Sequence, residues 1–132
     1  MPSEFVKEVA DVFAKDGPLS KVTANYTPRP SQIEFATSVA EALEKGKTLV
    51  AEAGTGTGKT FAYLVPALLK DQKVLISTAG KTLQDQLFTK DIPALLKALG
   101  MGCRVALLKG RSNYICKQRL EHALQELSLI HI

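Results

Sequence analysis

Apolar residues fall along this chain in two alternating rhythms, one helical and one short and unbroken. From Glu4 to Phe13 the positions Phe5, Val9 and Val12 or Phe13 share one helical face, Ser3 is placed to cap it, and Gly17 and Pro18 end it. A second helix is announced by Ser31 with Glu34 at capping-box spacing and Pro30 just before; Ala36, Val39, Ala40 and Leu43 form its stripe, and Gly46 stops it. A short apolar run from Leu49 then feeds a glycine-rich turn and the periodic segment FAYLVPALL, in which Pro66 predicts a kink or an early end. Val74 to Thr78 reads as a buried strand. The helix after it carries Leu83 and Leu87 on one face and is closed by Pro93. Arg104 to Leu108 suggests a third strand, followed by a basic turn and a helix bearing Cys116, Leu120, Ala123 and Leu124. Strands alternating with helices predict an α/β fold, a parallel sheet with flanking helices.

Composition narrows the setting. At 132 residues and 45% hydrophobic, the chain has material for one small domain rather than two. No run reaches the roughly 18 apolar residues that a membrane span needs. The stretch MPSEFVKEVADVF places acids inside its apolar pattern, unlike a secretory signal, so a cytoplasmic location is expected. The net charge of +4 is compatible with a nucleic-acid partner but is common elsewhere. Two cysteines, Cys103 and Cys116, are expected to be reduced thiols rather than a disulfide.

The strongest chemistry lies in LVAEAGTGTGKT, Leu49 to Thr60. A triphosphate needs backbone N–H donors pointing inward and no side chain in the way, which Gly54, Gly56 and Gly58 provide. Lys59 falls at a helix N-terminus, where the macrodipole favours an anion, and its ammonium can reach the β- and γ-phosphates. Thr60 offers a hydroxyl to a bridging Mg2+. Ala53 to Thr60, with Thr55 and Thr57 between the glycines, thus reads as a P-loop for ATP, with Ala53 where the usual pattern starts with Gly. A Rossmann site fits less well: the glycines read G-x-G-x-G, and a Lys and a Thr would have no role against a pyrophosphate.

Other candidates have two readings each. The amide of Gln32 can donate to and accept from an adenine edge, with Tyr26 or Arg29 against the base, or Gln32 can simply begin a solvated helix. Ser77, Thr78 and Lys81 crowd the C-terminal end of the second strand, where they could hold a nucleic-acid phosphate or serve as capping residues. Lys109, Arg111, Lys117 and Arg119 make the following turn and helix the most basic part of the chain. Cys116 alone reads as a small apolar residue of that helix.

Four blocks in order, R-P-x-Q, EAGTGTGKT with AYLVPAL, ISTAGKTLQDQL and LLKGRSNYIC, resemble the N-terminal part of the DinG/XPD group of superfamily 2 iron–sulfur DNA helicases, over roughly Tyr26 to Leu124. The resemblance implies a partial RecA-like P-loop NTPase domain, ATP and Mg2+ as cofactors, single-stranded DNA as partner and 5′ to 3′ translocation. By the same resemblance Gln32 reads adenine, Ala53 to Thr60 is helicase motif I, and Ser77 to Gln86 is motif Ia. Cys116 would be the first of four cysteines holding a 4Fe-4S cluster, so this chain supplies one ligand and the cluster belongs to a longer protein. Cys103 has no counterpart in the motif and is expected in the core.

Hydrolysis also needs a carboxylate for magnesium and water, and arginines for the transition state. No Asp-Glu pair follows a buried strand in this sequence, so the chain alone is not expected to turn over ATP. A short module that binds ATP without hydrolysing it, or another P-loop ATPase, are the alternatives. The expected organisation is an N-terminal helix and linker over 1–25, motor-domain sequence over 26–126, and a tail over 127–132. That tail, LSLIHI, resembles the in-frame translation of CTG TCT CTT ATA CAC ATC, a transposon end used as a sequencing adapter; a native helix end with the same letters is the other reading.

Overall fold

The computed structural model describes residues 1–54 and 58–130. Its first helix, α1 (Glu4–Val12), begins where expected: Ser3 is extended, and its hydroxyl accepts the Val6 N–H at 3.1 Å. Val6, Val9, Val12 and Phe13 are buried, whereas Phe5 is only partly so and lies beneath the Lys70 ammonium, 4.8 Å from the ring centroid. Removing the cap leaves an N–H of the first turn without its partner, so Ser3→Ala is expected to lower stability by about 1 kcal/mol. Chemical denaturation with an unchanged midpoint would contradict that role for Ser3.

Gly17 and Pro18 do not close α1; they open α2 (Pro18–Val22), with Gly17 as N-cap and Pro18 in the first turn. Gly17 has no room for a side chain, since a Cβ there would meet the carbonyls of Asp11 and Val12. The next helix, α3 (Pro30–Lys45), also starts earlier than the capping-box spacing predicts. Arg29 is the N-cap, without a side-chain cap bond, and Ser31 lies inside the helix. Proline explains the shift, because its fixed φ suits the first helical position and its missing N–H would be unpaired there anyway. Gly46 ends α3 in the left-handed conformation, φ 59°, and its N–H bonds to Ala42 O.

Helix α4 (Lys59–Leu69) runs three residues past Pro66, which is buried within it. Ala36 and Ala40 of α3 and Ala62 of α4 are fully buried, and such small side chains let two helices approach closely. Pro93 likewise fails to stop its helix. The chain passes from α5 (Lys81–Gln86) through a π-helical turn (Leu87–Asp91) into α6 (Ile92–Leu99). At that junction the Ile92 N–H reaches back five residues to Leu87 O, and the widened turn accommodates a proline that has no N–H to give. Leu87, Ile92 and Leu95 are buried, but Leu83 is exposed.

One apolar core unites α1, α2, α3, α4 and α6, so the N-terminal segment is packed into the body of the chain. Tyr26 fastens it further by donating its hydroxyl to Phe13 O at 2.9 Å, and Ser3 Oγ donates to Glu44 Oε2 at 2.5 Å. A 3₁₀ turn (Arg111–Asn113) precedes α7 (Lys117–Ile130), which buries none of its described residues; Leu127 to Ile130 continue it. His131 and Ile132 lie outside the described residues.

The expected parallel sheet is not formed among the described residues, where no strand occurs. The three apolar segments are left without ladder partners, and part of each is open to solvent: Val50 is 93%, Leu75 95% and Leu108 83% exposed, although Ile76 packs against the core. Val74–Ile76 and Cys103–Leu108 line a cleft of about 910 Å³ walled by Leu64, Leu68, Leu87 and Ile92. A β-strand needs a neighbour ~4.8 Å away to take its N–H and C=O groups, and none occurs among the described residues. Unpaired segments of this kind favour association between chains. Cys103, expected in the core, is exposed on the rim of this cleft.

Candidate nucleotide site

The glycine-rich loop reaches α4 through Gly58, which is left-handed at φ 74°, ψ 32°. That turn places Lys59 and Thr60 at the first two positions of α4, where the first-turn N–H groups have no helical acceptor and attract an anion. Lys59 is exposed and Thr60 half-buried. Ala53 is half-buried and Gly54 exposed; Thr55, Gly56 and Thr57 lie outside the described residues.

Gln32 sits one turn into α3 and is buried, not solvated, which removes the solvated-helix reading. Its side-chain Nε2 donates to Gly58 O at 3.1 Å, bridging 26 residues of sequence. The packing is close enough that a Cβ on Gly58 would collide with the Gln32 amide. A polar side chain is costly to bury unless it is bonded, and the loop carbonyl supplies the bond. The structure thus brings two candidates far apart in sequence, Gln32 and Gly58, into contact.

Tyr63 joins this site without having been marked by sequence. It lies one turn after Thr60 and is half-buried against the core. Burial raises the Tyr63 phenol above its ordinary value, the nearby Thr60 side chain works in the opposite direction, and Asp91 adds to the rise. The i, i+3 spacing of Thr60 and Tyr63 was the available signal. Tyr26, a candidate for stacking on a base, has its hydroxyl committed to Phe13 O, and burial raises its pKa.

Ser77, Thr78 and Lys81 follow one another at the entrance to α5 and share no hydrogen bond with Gln32 or Gly58 among the described residues. Thr78 Oγ1 donates to Gly80 O at 3.2 Å, so part of its polarity is used in shaping the turn. Ser77 and Lys81 are exposed. Cys116 sits immediately before α7, exposed, and Leu120 N–H bonds back to its carbonyl at 3.0 Å. No three His, Cys, Asp or Glu side chains converge among the described residues, so the donors present do not make a four-thiolate cluster site.

The sequence matches the DEAD/DEAH box helicase family over residues 33–131, three quarters of the chain. The chain belongs to the DEAD/DEAH box helicase family. Among its relatives, the ATP-dependent DNA helicase YoaA of Escherichia coli K12 is 56% identical over 113 residues, covering 86% of the chain and 18% of the relative. YoaA of Haemophilus influenzae Rd is 47% identical over 123 residues, 93% of the chain and 19% of the relative. The ATP-dependent helicase DinG of Mycobacterium tuberculosis H37Ra is 45% identical over 106 residues, 74% and 16% respectively. The chain therefore spans less than a fifth of the length of these relatives. No solved structure gives a significant match. Among the described residues no helix is long and apolar enough to cross a membrane.

Proposed function

We propose that this chain is the first part of the leading motor domain of an ATP-dependent DNA helicase, acting 5′ to 3′ on single strands in DNA repair or replication. The observation that carries this is the burial of Gln32 with its amide on Gly58 O, in a chain that shares its family and much of its sequence with YoaA and DinG. In this reading the α4 N-terminus and the loop Ala53 to Gly58 cradle the phosphates of ATP. Lys59 neutralises the β- and γ-phosphates, and the Thr60 hydroxyl would hold Mg2+. Gln32 reads the adenine edge while staying in touch with the loop. Ser77, Thr78 and Lys81 meet the phosphates of single-stranded DNA. Residues 26–126 are the motor-domain part, 1–25 its N-terminal brace, and 127–132 an appended tail.

The segments 49–53, 74–78 and 104–108 become strands of a RecA-like sheet when further strands of a longer protein fill the cleft beside Val74–Ile76. Cys116 would contribute one thiolate to a 4Fe-4S cluster whose other ligands lie beyond these residues. The 132 residues alone bind ATP without turning it over, because the carboxylate and arginines of hydrolysis are not among them.

Binding of a fluorescent ATP analogue, competed by unlabelled ATP and GTP, tests the adenine assignment. Gln32→Ala is expected to weaken ATP about tenfold while leaving GTP little changed, as loss of one well-made polar contact should. Equal losses for both nucleotides would reduce Gln32 to a loop support. A purified 132-residue chain that is monomeric, folds cooperatively and saturates with ATP would favour the stand-alone binding module.

A further inference from the structure

The turn that leads to Cys116 is tied back to α5 by contacts that span two dozen residues. Gln84 Nε2 donates to Leu108 O at 2.9 Å, and the Lys109 ammonium lies 2.8 Å from Asp85 Oδ1. The turn is also closed on itself. Lys109 N–H donates to the Tyr114 hydroxyl at 2.9 Å, and the N–H groups of Asn113 and Tyr114 bond to Gly110 O and Arg111 O. Gln84 and Asp85 are thus neighbours on α5 that hold consecutive residues, the carbonyl of one and the ammonium of the next.

A lone surface ion pair contributes little, and Lys109 and Asp85 are 27% and 51% exposed. A pair that shares its anchor with a side-chain amide bond is different, because each contact reduces the ordering cost of the other. Lys81, at the head of the same short helix, is a candidate for DNA phosphate, while Lys109 and Arg111 give the turn its positive charge. We propose that Gln84 and Asp85 are positioning residues that fix the basic Lys109–Asn113 turn to α5, so that the element meeting DNA and the segment leading to Cys116 move as one body. This rests on the DNA-contact reading of α5.

The test uses the protein encoded by the complete open reading frame, with oligo-dT as the probe. The double variant Gln84→Ala/Asp85→Ala removes the amide donor and the carboxylate while leaving Lys81 in place. It is expected to raise the oligo-dT concentration for half-maximal ATPase stimulation about fivefold. Unstimulated turnover and the KM for ATP should stay within about twofold, and backbone exchange over 108–116 should accelerate. Asp85→Glu, which can still reach Lys109, should behave as the parent. Half-saturation unchanged in the double variant overturns the proposal, and so does a parallel fall of stimulated and unstimulated turnover. A parent protein that oligo-dT does not stimulate overturns the DNA-contact reading and, with it, this role of α5.

Discussion

Lys59→Ala in the complete protein is expected to lower ATP hydrolysis by about two to three orders of magnitude and to leave the fold intact. Lys59 is exposed at the first position of α4 and contributes nothing to the apolar core, so its truncation removes a charge rather than packing. In the proposed reaction that charge meets phosphoryl oxygens as negative charge redistributes between the β- and γ-phosphates. Loss of one such electrostatic contact costs a factor of roughly 100 to 1,000 in turnover. The measurements are steady-state ATPase and thermal unfolding on the same preparation. Unchanged turnover would remove Lys59 from the mechanism, and a large fall in melting temperature would mean that it had been misread as a surface residue.

The second large effect is at Gly58. Its φ of 74° lies in the region that L side chains rarely adopt, and a Cβ there would run into the buried Gln32 amide. Gly58→Ala therefore incurs about 1–2 kcal/mol of backbone strain. It also displaces a buried donor from its acceptor, at a further cost of about 1–3 kcal/mol. Destabilisation of about 2 kcal/mol or more is expected by chemical denaturation, together with weakened nucleotide binding. The collision has a signature of its own: combined with Gln32→Ala, the alanine at 58 should cost clearly less than it does alone, because its steric partner is gone. Strictly additive costs would show that Gln32 and Gly58 are not coupled.

Sequence reasoning succeeded where a local rule had no competitor. Ser3 caps α1 and Gly46 stops α3, because an extended hydroxyl residue and a left-handed glycine have few other uses at those positions. Proline carries two meanings. Pro18 opens α2 rather than ending α1, Pro30 is the first residue of α3 rather than lying just before it, Pro66 lies buried inside α4 rather than ending it, and Pro93 is passed through a π-helical turn. The strand readings rested on apolar runs alone. A run records a wish for neighbours, and no ladder neighbours occur among the described residues.

What the sequence determined by itself is the family, and with it a candidate phosphate loop. Glycines, a lysine and a hydroxyl residue at a strand-to-helix spacing have a local physical logic that needs no fold to be read, and the DEAD/DEAH box match agrees with it. Only the tertiary structure decided that Gln32 is buried against Gly58 and that Gln84 and Asp85 hold the turn before Cys116. The two amide contacts cross 26 and 24 residues, and a side-chain amide carries no mark of which distant carbonyl it will meet. That partner is set by how α3 packs on α4 and where the chain returns to α5, which are outcomes of the shared core.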